Sequence, residues 1–260
     1  MGWFVAMDDH PTTGRAEGFA RYRQVLERDW KTFFLAGLLT LVGFVPFGLG
    51  LLAAFLTQSV LVLLIGCAVG GLFAGPALYG LTDLMFRSLR DAPANWWLDY
   101  RRALRRNWRS TLLPGVVYCL YLGILAFMAM LFWWAPVEAP ISPGTLALYA
   151  VSAVLGTMLW SVYWPQLVLF EQSLRVRLKN CLLFCIKYFW HTLFCAVGQL
   201  AYWLLMVLLL PWSVLILPFI GLWFVSYAAS FALYDDLNAA FRIEEQILEQ
   251  FPEQTPIYEE

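Results

Sequence analysis

Charge is missing from most of this chain. Residues 32 to 82, 110 to 137, 139 to 170 and 192 to 234 contain no Asp, Glu, Lys, Arg or His. Charged residues make up 13% of the sequence and hydrophobic ones 61%, against about a quarter and about 45–50% in a soluble domain. A chain of 260 residues cannot fold that much apolar surface into one core. An ordinary soluble globular protein is therefore excluded, and the bilayer is the solvent for much of the chain.

Other shortages exclude particular functions. The five cysteines are odd in number and lie mostly inside apolar runs, which excludes a disulfide framework and leaves small buried hydrophobes. No ionisable side chain falls in the middle of an apolar window, since Asp83, Glu171 and His191 all sit at window ends. Proton- and sodium-coupled carriers place such a group at depth, so ion-coupled transport is disfavoured. There is no phosphate-binding loop, dinucleotide fingerprint or nucleophile-and-base constellation. No catalytic residue, cofactor or nucleic-acid partner is expected. Cys181, Cys185 and His191 form a C-x3-C-x5-H pattern, but a closed zinc site needs four ligands and no fourth is near. They read as unpaired structural cysteines, and Asp8-Asp9-His10 is too isolated to be a metal site. The short apolar start, Met1 to Ala6, runs straight into those charges and has no basic region or longer apolar stretch of a secretory signal. The first long window is expected to direct insertion.

What is present is enough for six spans. A helix needs about 20 apolar residues to cross about 30 Å of hydrocarbon. The first window breaks at Thr57-Gln58-Ser59 and makes two spans. The second and third make one each, separated by Pro136, Glu138, Pro140 and Pro143. The fourth breaks at Pro211-Trp212-Ser213 and makes two. Helices are required because no backbone polar group can be left unpaired in lipid.

All seventeen Lys and Arg fall before span one, between spans two and three, between spans four and five, or after span six. The positive-inside rule then puts both termini and the two long connections in the cytoplasm. Trp30, Trp108 and Trp190 mark the cytoplasmic border and Trp133, Trp134 and Trp212 the other, as aromatic belts do.

The spans pair into repeats. YRQVLERDWKTFFLAG at residues 22 to 37 matches YRRALRRNWRSTLLPG at residues 100 to 115, and Trp190-His191-Thr192 begins a weaker third copy. The far ends echo too: Pro76-Ala77-Leu78 with Pro165-Gln166-Leu167, and Ala77-Leu78-Tyr79 with Ala232-Leu233-Tyr234. The expected fold is an all-α integral membrane protein of six transmembrane helices, built as three tandem parallel-repeat hairpins with cytoplasmic amphipathic helices. The units run 16–85, 94–171 and 172–234 within one membrane domain, followed by a cytoplasmic acidic tail at 235–260. Inverted repeats, on which many alternating-access carriers rest, are not the pattern.

Phe19, Tyr22, Leu26 and Trp30, and likewise Trp97, Tyr100, Leu104 and Trp108, recur at helical steps with arginines around them. Such helices are expected to lie in the interface, basic face toward lipid phosphates. Arg101, Arg102, Arg105, Arg106 and Arg109 are the candidate contacts for anionic lipid or an acidic partner surface. Gly66, Gly70, Gly71 and Gly75 make two overlapping G-x-x-x-G pairs, candidates for close helix packing within the chain. Pro76 is expected to kink or break that span. Gln58, Thr157, Ser161, Gln166, Gln199, Ser226 and Ser230 serve either interhelical hydrogen bonds or a neutral polar path, the bonds being the commoner use. The tail reads as a short helix from Asp235 to about Gln250, then a frayed end at Pro252 and Pro256.

Gly75-Pro76-Ala77-Leu78-Tyr79 closing span two, an Arg-containing linker, and the 100–115 segment with Arg106-Asn107 resemble the YesL-like bacterial membrane proteins; Lys179-Asn180 resembles that family's later basic-Asn element. The resemblance carries no catalytic residues. It implies a setting beside carbohydrate-uptake ABC transporters. The leading expectation is a non-catalytic accessory or interaction protein whose partners are the lipid bilayer and ABC transporter subunits or another membrane complex. The alternative is an uncoupled carrier or channel for a small neutral solute.

Overall fold

The computed structural model describes residues 15–92, 95–133 and 142–250, and every regular element among them is a helix. In order these are α1 (Gly18–Thr57), α2 (Val60–Leu89), α3 (Trp96–Trp133), α4 (Pro143–Leu169), α5 (Leu174–Lys187), α6 (Phe189–Leu208), α7 (Trp212–Ile220), α8 (Leu222–Phe241) and α9 (Ile243–Gln250). Helices α1, α2, α3, α4 and α6 are long and apolar enough to cross a membrane. The pair α7 and α8, bent by 53°, makes a sixth if it counts as one span. Asp8-Asp9-His10, Trp134, Pro136, Glu138, Pro140, Pro252 and Pro256 lie outside the described residues.

Several boundaries follow directly from residue type. Gln58 takes a left-handed conformation to end α1, and the Ser59 side chain accepts the Val62 N–H to start α2. Ser142 caps α4 in the same way, with Pro143 in the first turn. The break expected at Pro211 is present between α6 and α7. A second break, at Gly221, was not foreseen. Pro218 brings no N–H to the turn before it, and Gly221 departs from helical geometry with φ −62 and ψ −95. Carbonyls freed there are satisfied by side chains: Trp223 Nε1 donates to Phe219 O at 2.6 Å and the Tyr202 hydroxyl to Ile220 O at 2.6 Å. Pro76 does not break α2, which runs through it.

The first basic segment is not a separate helix, whereas Arg175, Arg177, Lys179 and Lys187 lie on one, α5. Residues 18–31 are the first turns of α1, a single helix of 40 residues. At 1.5 Å per residue it is about 60 Å long, twice the hydrocarbon thickness, so its basic end projects beyond the apolar part. The corresponding part of α3 is set off only by a kink at Asn107, where φ is −124 and ψ 15. The expected arginine-out face is also partly reversed. Arg21 and Val25 are buried, while Phe19 and Trp30 are exposed. The acidic tail does not begin a new helix at Asp235; α8 continues to Phe241, Arg242 turns left-handed, and α9 follows.

Packing takes two forms. Around α2 the helices nearly touch backbone to backbone. A β-carbon on Gly66 would stand 2.6 Å from the Gly50 Cα of α1, and one on Gly75 would stand 2.5 Å from the Thr111 carbonyl oxygen of α3. Between α3 and α4 the spacers are aromatic. Tyr118 lies edge-on to Trp160 and Trp164, and the Tyr121 hydroxyl donates to Ala153 O at 2.7 Å. Helices α2, α4 and α8 also touch one another, while α1 packs on α8, α3 on α2, and α5 and α6 on α4.

Candidate functional site

One end of the bundle gathers the starts of α1 and α3, the ends of α2, α4 and α8, and helices α5 and α9. Its structural anchor is Asp91, just past α2 in a left-handed conformation (φ 57), with a side chain 1% exposed. Arg21 donates to its Oδ2 at 2.8 Å and Arg28 to its Oδ1 at 2.7 Å. The same two guanidiniums cap the end of α2, Arg21 on Leu89 O and Arg28 on Ser88 O. Arg15 stands 3.6 Å from Asp91 and donates to Glu244 at 2.7 Å. Glu244 also accepts the Tyr234 hydroxyl at 2.6 Å. Burial alone would raise the Glu244 carboxyl, but the Arg15 and Tyr234 bonds outweigh it and hold it below the usual carboxylate range. The first and last described helices are thereby tied together.

Beside this network is a cavity of about 1000 Å³. Tyr79, Asp83, Arg87 and Arg90 line it from the α2 end, and Arg102, Arg106, Asn107 and Ser110 from α3. Leu167 to Phe170 of α4, Glu171, Gln172, Arg177 of α5, and Gln246 and Ile247 of α9 complete the wall. Five arginines face two carboxylates. Arg87 is engaged by Asp83 at 3.0 Å and Asp99 at 3.7 Å, and Arg106 meets Glu171 at 3.2 Å. Burial pushes the Arg90 guanidinium down to about 10. Arg177 is buried and donates to the Gln172 carbonyl at 2.9 Å, with the Tyr163 hydroxyl at 3.5 Å. With five arginines to two carboxylates, such a chamber attracts anions.

The structure divides the basic cluster expected on α3. Arg102 and Arg106 line the cavity, Arg101 and Arg105 are exposed, and Arg109 lies over the Trp108 ring at 5.3 Å. The four glycines of α2 serve two different neighbours. Gly66 and Gly70 meet Gly50 and Phe47 of α1, and Gly71 and Gly75 meet Val116, Gly115 and Thr111 of α3. Asn107 donates to the Tyr79 hydroxyl, which joins the two motifs on which the YesL-like resemblance rests. Cys181 and Cys185 are buried on α5, while His191 is exposed and bonded to Asp236. Among the described residues no three His, Cys, Asp or Glu side chains converge as metal ligands.

Sequence reasoning missed Arg87, Arg90 and Arg177 as cavity residues, and Asp91 and Glu244 as anchors. Their partners lie up to 229 residues away, and of these residues only Asp91, a lone acid just after Arg87 and Arg90, stood out in composition. No protein-family model, curated protein or solved structure matches this chain.

Proposed function

We propose that the chain is a non-catalytic accessory protein of the cell membrane that docks on an anionic surface of a larger membrane complex through its basic end. The observation that carries this reading is the split among the arginines. Arg21, Arg28 and Arg87 are consumed by internal carboxylates. Arg101, Arg105 and Arg109 are exposed on α3 and meet no carboxylate within 4.0 Å among the described residues. Cations displayed at such an end add about 1 kcal/mol each toward an anionic surface, screened by salt. The carbohydrate-uptake setting comes from the YesL-like resemblance, by analogy. The carrier reading has less to build on, because three of its polar residues, Thr157, Ser161 and Gln199, bond between helices. Gln199 donates to Ser161 at 2.6 Å, and Thr157 meets the Tyr121 hydroxyl at 2.9 Å.

Replacing Arg101, Arg105 and Arg109 together by Gln is expected to abolish recovery of ABC transporter subunits on affinity purification in mild detergent, without changing the thermal melt. Purified protein in liposomes should move no sugar. Solute-specific flux from that preparation would reject the accessory reading in favour of the carrier.

The reading includes a cytoplasmic basic end and three parallel hairpins. The repeat is supported by Arg28 bonding Asp91 after the first pair of spans and Arg106, its counterpart, pairing with Glu171 after the second. Tyr22 packs on α8 and Tyr100 on α2, in each case the closing helix of another unit. Orientation is checked with single cysteines in a background without the five native ones. An impermeant thiol reagent should label positions 58 and 212 in intact cells and spare positions 12 and 95; the reverse pattern overturns the assignment.

A further inference from the structure

We propose that the arginine-lined cavity and an apolar groove beside it form one binding site for an anionic phospholipid, with the phosphate among the arginines and an acyl chain in the groove. The site requires only that the chain sit in a membrane, and does not depend on the docking reading.

The cation half is built, not merely exposed. Arg177 is 8% exposed and has no carboxylate within 4.0 Å among the described residues. Its Nε is buried and bonded to nothing there, and its other bonds go to neutral oxygens. A buried guanidinium without a counter-charge is costly, and an anion placed beside it removes that cost. Arg106 supplies a second contact. Its Glu171 pair leaves that carboxylate 84% exposed, and so exposed a pair is worth only about 0–1 kcal/mol. Phosphate can displace it at little cost. The volume, about 1000 Å³, is at the upper end of the about 300–1,000 Å³ typical of small-ligand sites.

The apolar half holds no charged residue. A groove of about 380 Å³ runs between Leu113, Pro114 and Val117 of α3, Gly156 and Trp160 of α4, and Leu178 of α5. The two halves join along shared helices. Ser110 lines the cavity and Leu113, one turn further into the apolar window, lines the groove. On α5, Arg177 lines the cavity and its neighbour Leu178 the groove, and Arg177 reaches the hydroxyl of Tyr163, a groove residue. A molecule lying along α3 therefore meets cations first and hydrocarbon second. That is the order of a phospholipid from head to tail, and basic pockets between spans bind such headgroups. A soluble phosphate ester would use the cavity alone.

The test uses delipidated full-length protein in detergent, titrated by native mass spectrometry. The probes are phosphatidylglycerol, phosphatidylcholine with the same chains, and sn-glycerol 3-phosphate. Phosphatidylglycerol is expected to bind at least about tenfold tighter than phosphatidylcholine, and glycerol 3-phosphate should not displace it. Arg177→Gln and Leu178→Trp, which fills the groove, should each weaken phosphatidylglycerol about tenfold, while exposed Arg101→Gln stays within about twofold. Each variant's melt is recorded; if Arg177→Gln is misfolded, Arg102→Gln replaces it on the cavity wall. Equal binding of the two lipids overturns the proposal. So does displacement by glycerol 3-phosphate with Leu178→Trp unaffected, which would leave a site for a soluble phosphate ester.

Discussion

Replacing Asp91 with alanine should cost this protein about 3–5 kcal/mol, the penalty for leaving buried charge without its partner. Arg21 and Arg28 both donate to that carboxylate, at 2.8 and 2.7 Å, and both also bond carbonyls at the end of α2. The predicted readout is a large fall in the melting temperature of the detergent-solubilised protein. Part of the effect has another source, since Asp91 holds a positive φ of 57, where alanine is strained by about 1–2 kcal/mol. Asp91→Asn separates the two, because asparagine tolerates that conformation but carries no charge. If charge dominates, the asparagine variant should lose most of what alanine loses. Replacing Arg21 with Met in the Asp91→Ala background should then recover part of the stability, because Arg21 meets no other carboxylate within 4.0 Å among the described residues, whereas Arg28 keeps Asp29 at 2.8 Å. An Asp91→Ala protein that melts like the wild type would remove Asp91 as the anchor.

The second large effect is steric. Alanine at Gly71 should destabilise by about 1–3 kcal/mol, and valine by more, through overpacking. The new β-carbon would lie 2.6 Å from the Val116 backbone nitrogen of α3, and a backbone cannot swing aside as a side chain does. Gly48 is the control. It also lies mid-helix, in α1, but nothing stands within 4 Å of its missing β-carbon. Alanine there should be neutral or stabilising by up to about 1 kcal/mol, since glycine is the poorer helix former. Opposite signs at two helical glycines are the expected result. Equal effects at Gly48 and Gly71 would mean that propensity, not close approach, governs these positions.

These two predictions differ in how far the sequence foreshadowed them. The glycines were legible because their cause is local: small residues four apart on one apolar helix leave a flat strip. That the strip faces two partners was not legible, because Gly66 with Gly70 and Gly71 with Gly75 differ by more than a quarter turn, and only the fold says what lies on each side. The apolar, membrane-spanning character of the helices was legible from the charge-free windows, and Gln58 and Ser59 end and begin helices at the expected place. The bend at Gly221 was hidden inside an uninterrupted apolar run, where Tyr202 and Trp223 supply bonds that no pattern announces. Asp91 was least legible. Periodicity placed Arg21 on an outward face because arginine is normally solvated; the carboxylate that pulls it inward lies 70 positions away.

The contrast between glycine contacts around α2 and aromatic spacers beyond α3 also orders the birth of the molecule. A chain threaded into the membrane from its N-terminus can zip α1, α2 and α3 together as soon as those segments leave the insertion machinery, since their contacts lie close in sequence. Helix α4 then waits, because its close helical neighbours include α5 and α6, which have yet to be made. The Arg15–Glu244 clasp is the last to shut, bridging 229 positions. Until that moment part of the charge cluster at the end of α2 stands open, and the nascent chain carries Asp91 and its arginines without the α9 partner that completes the network.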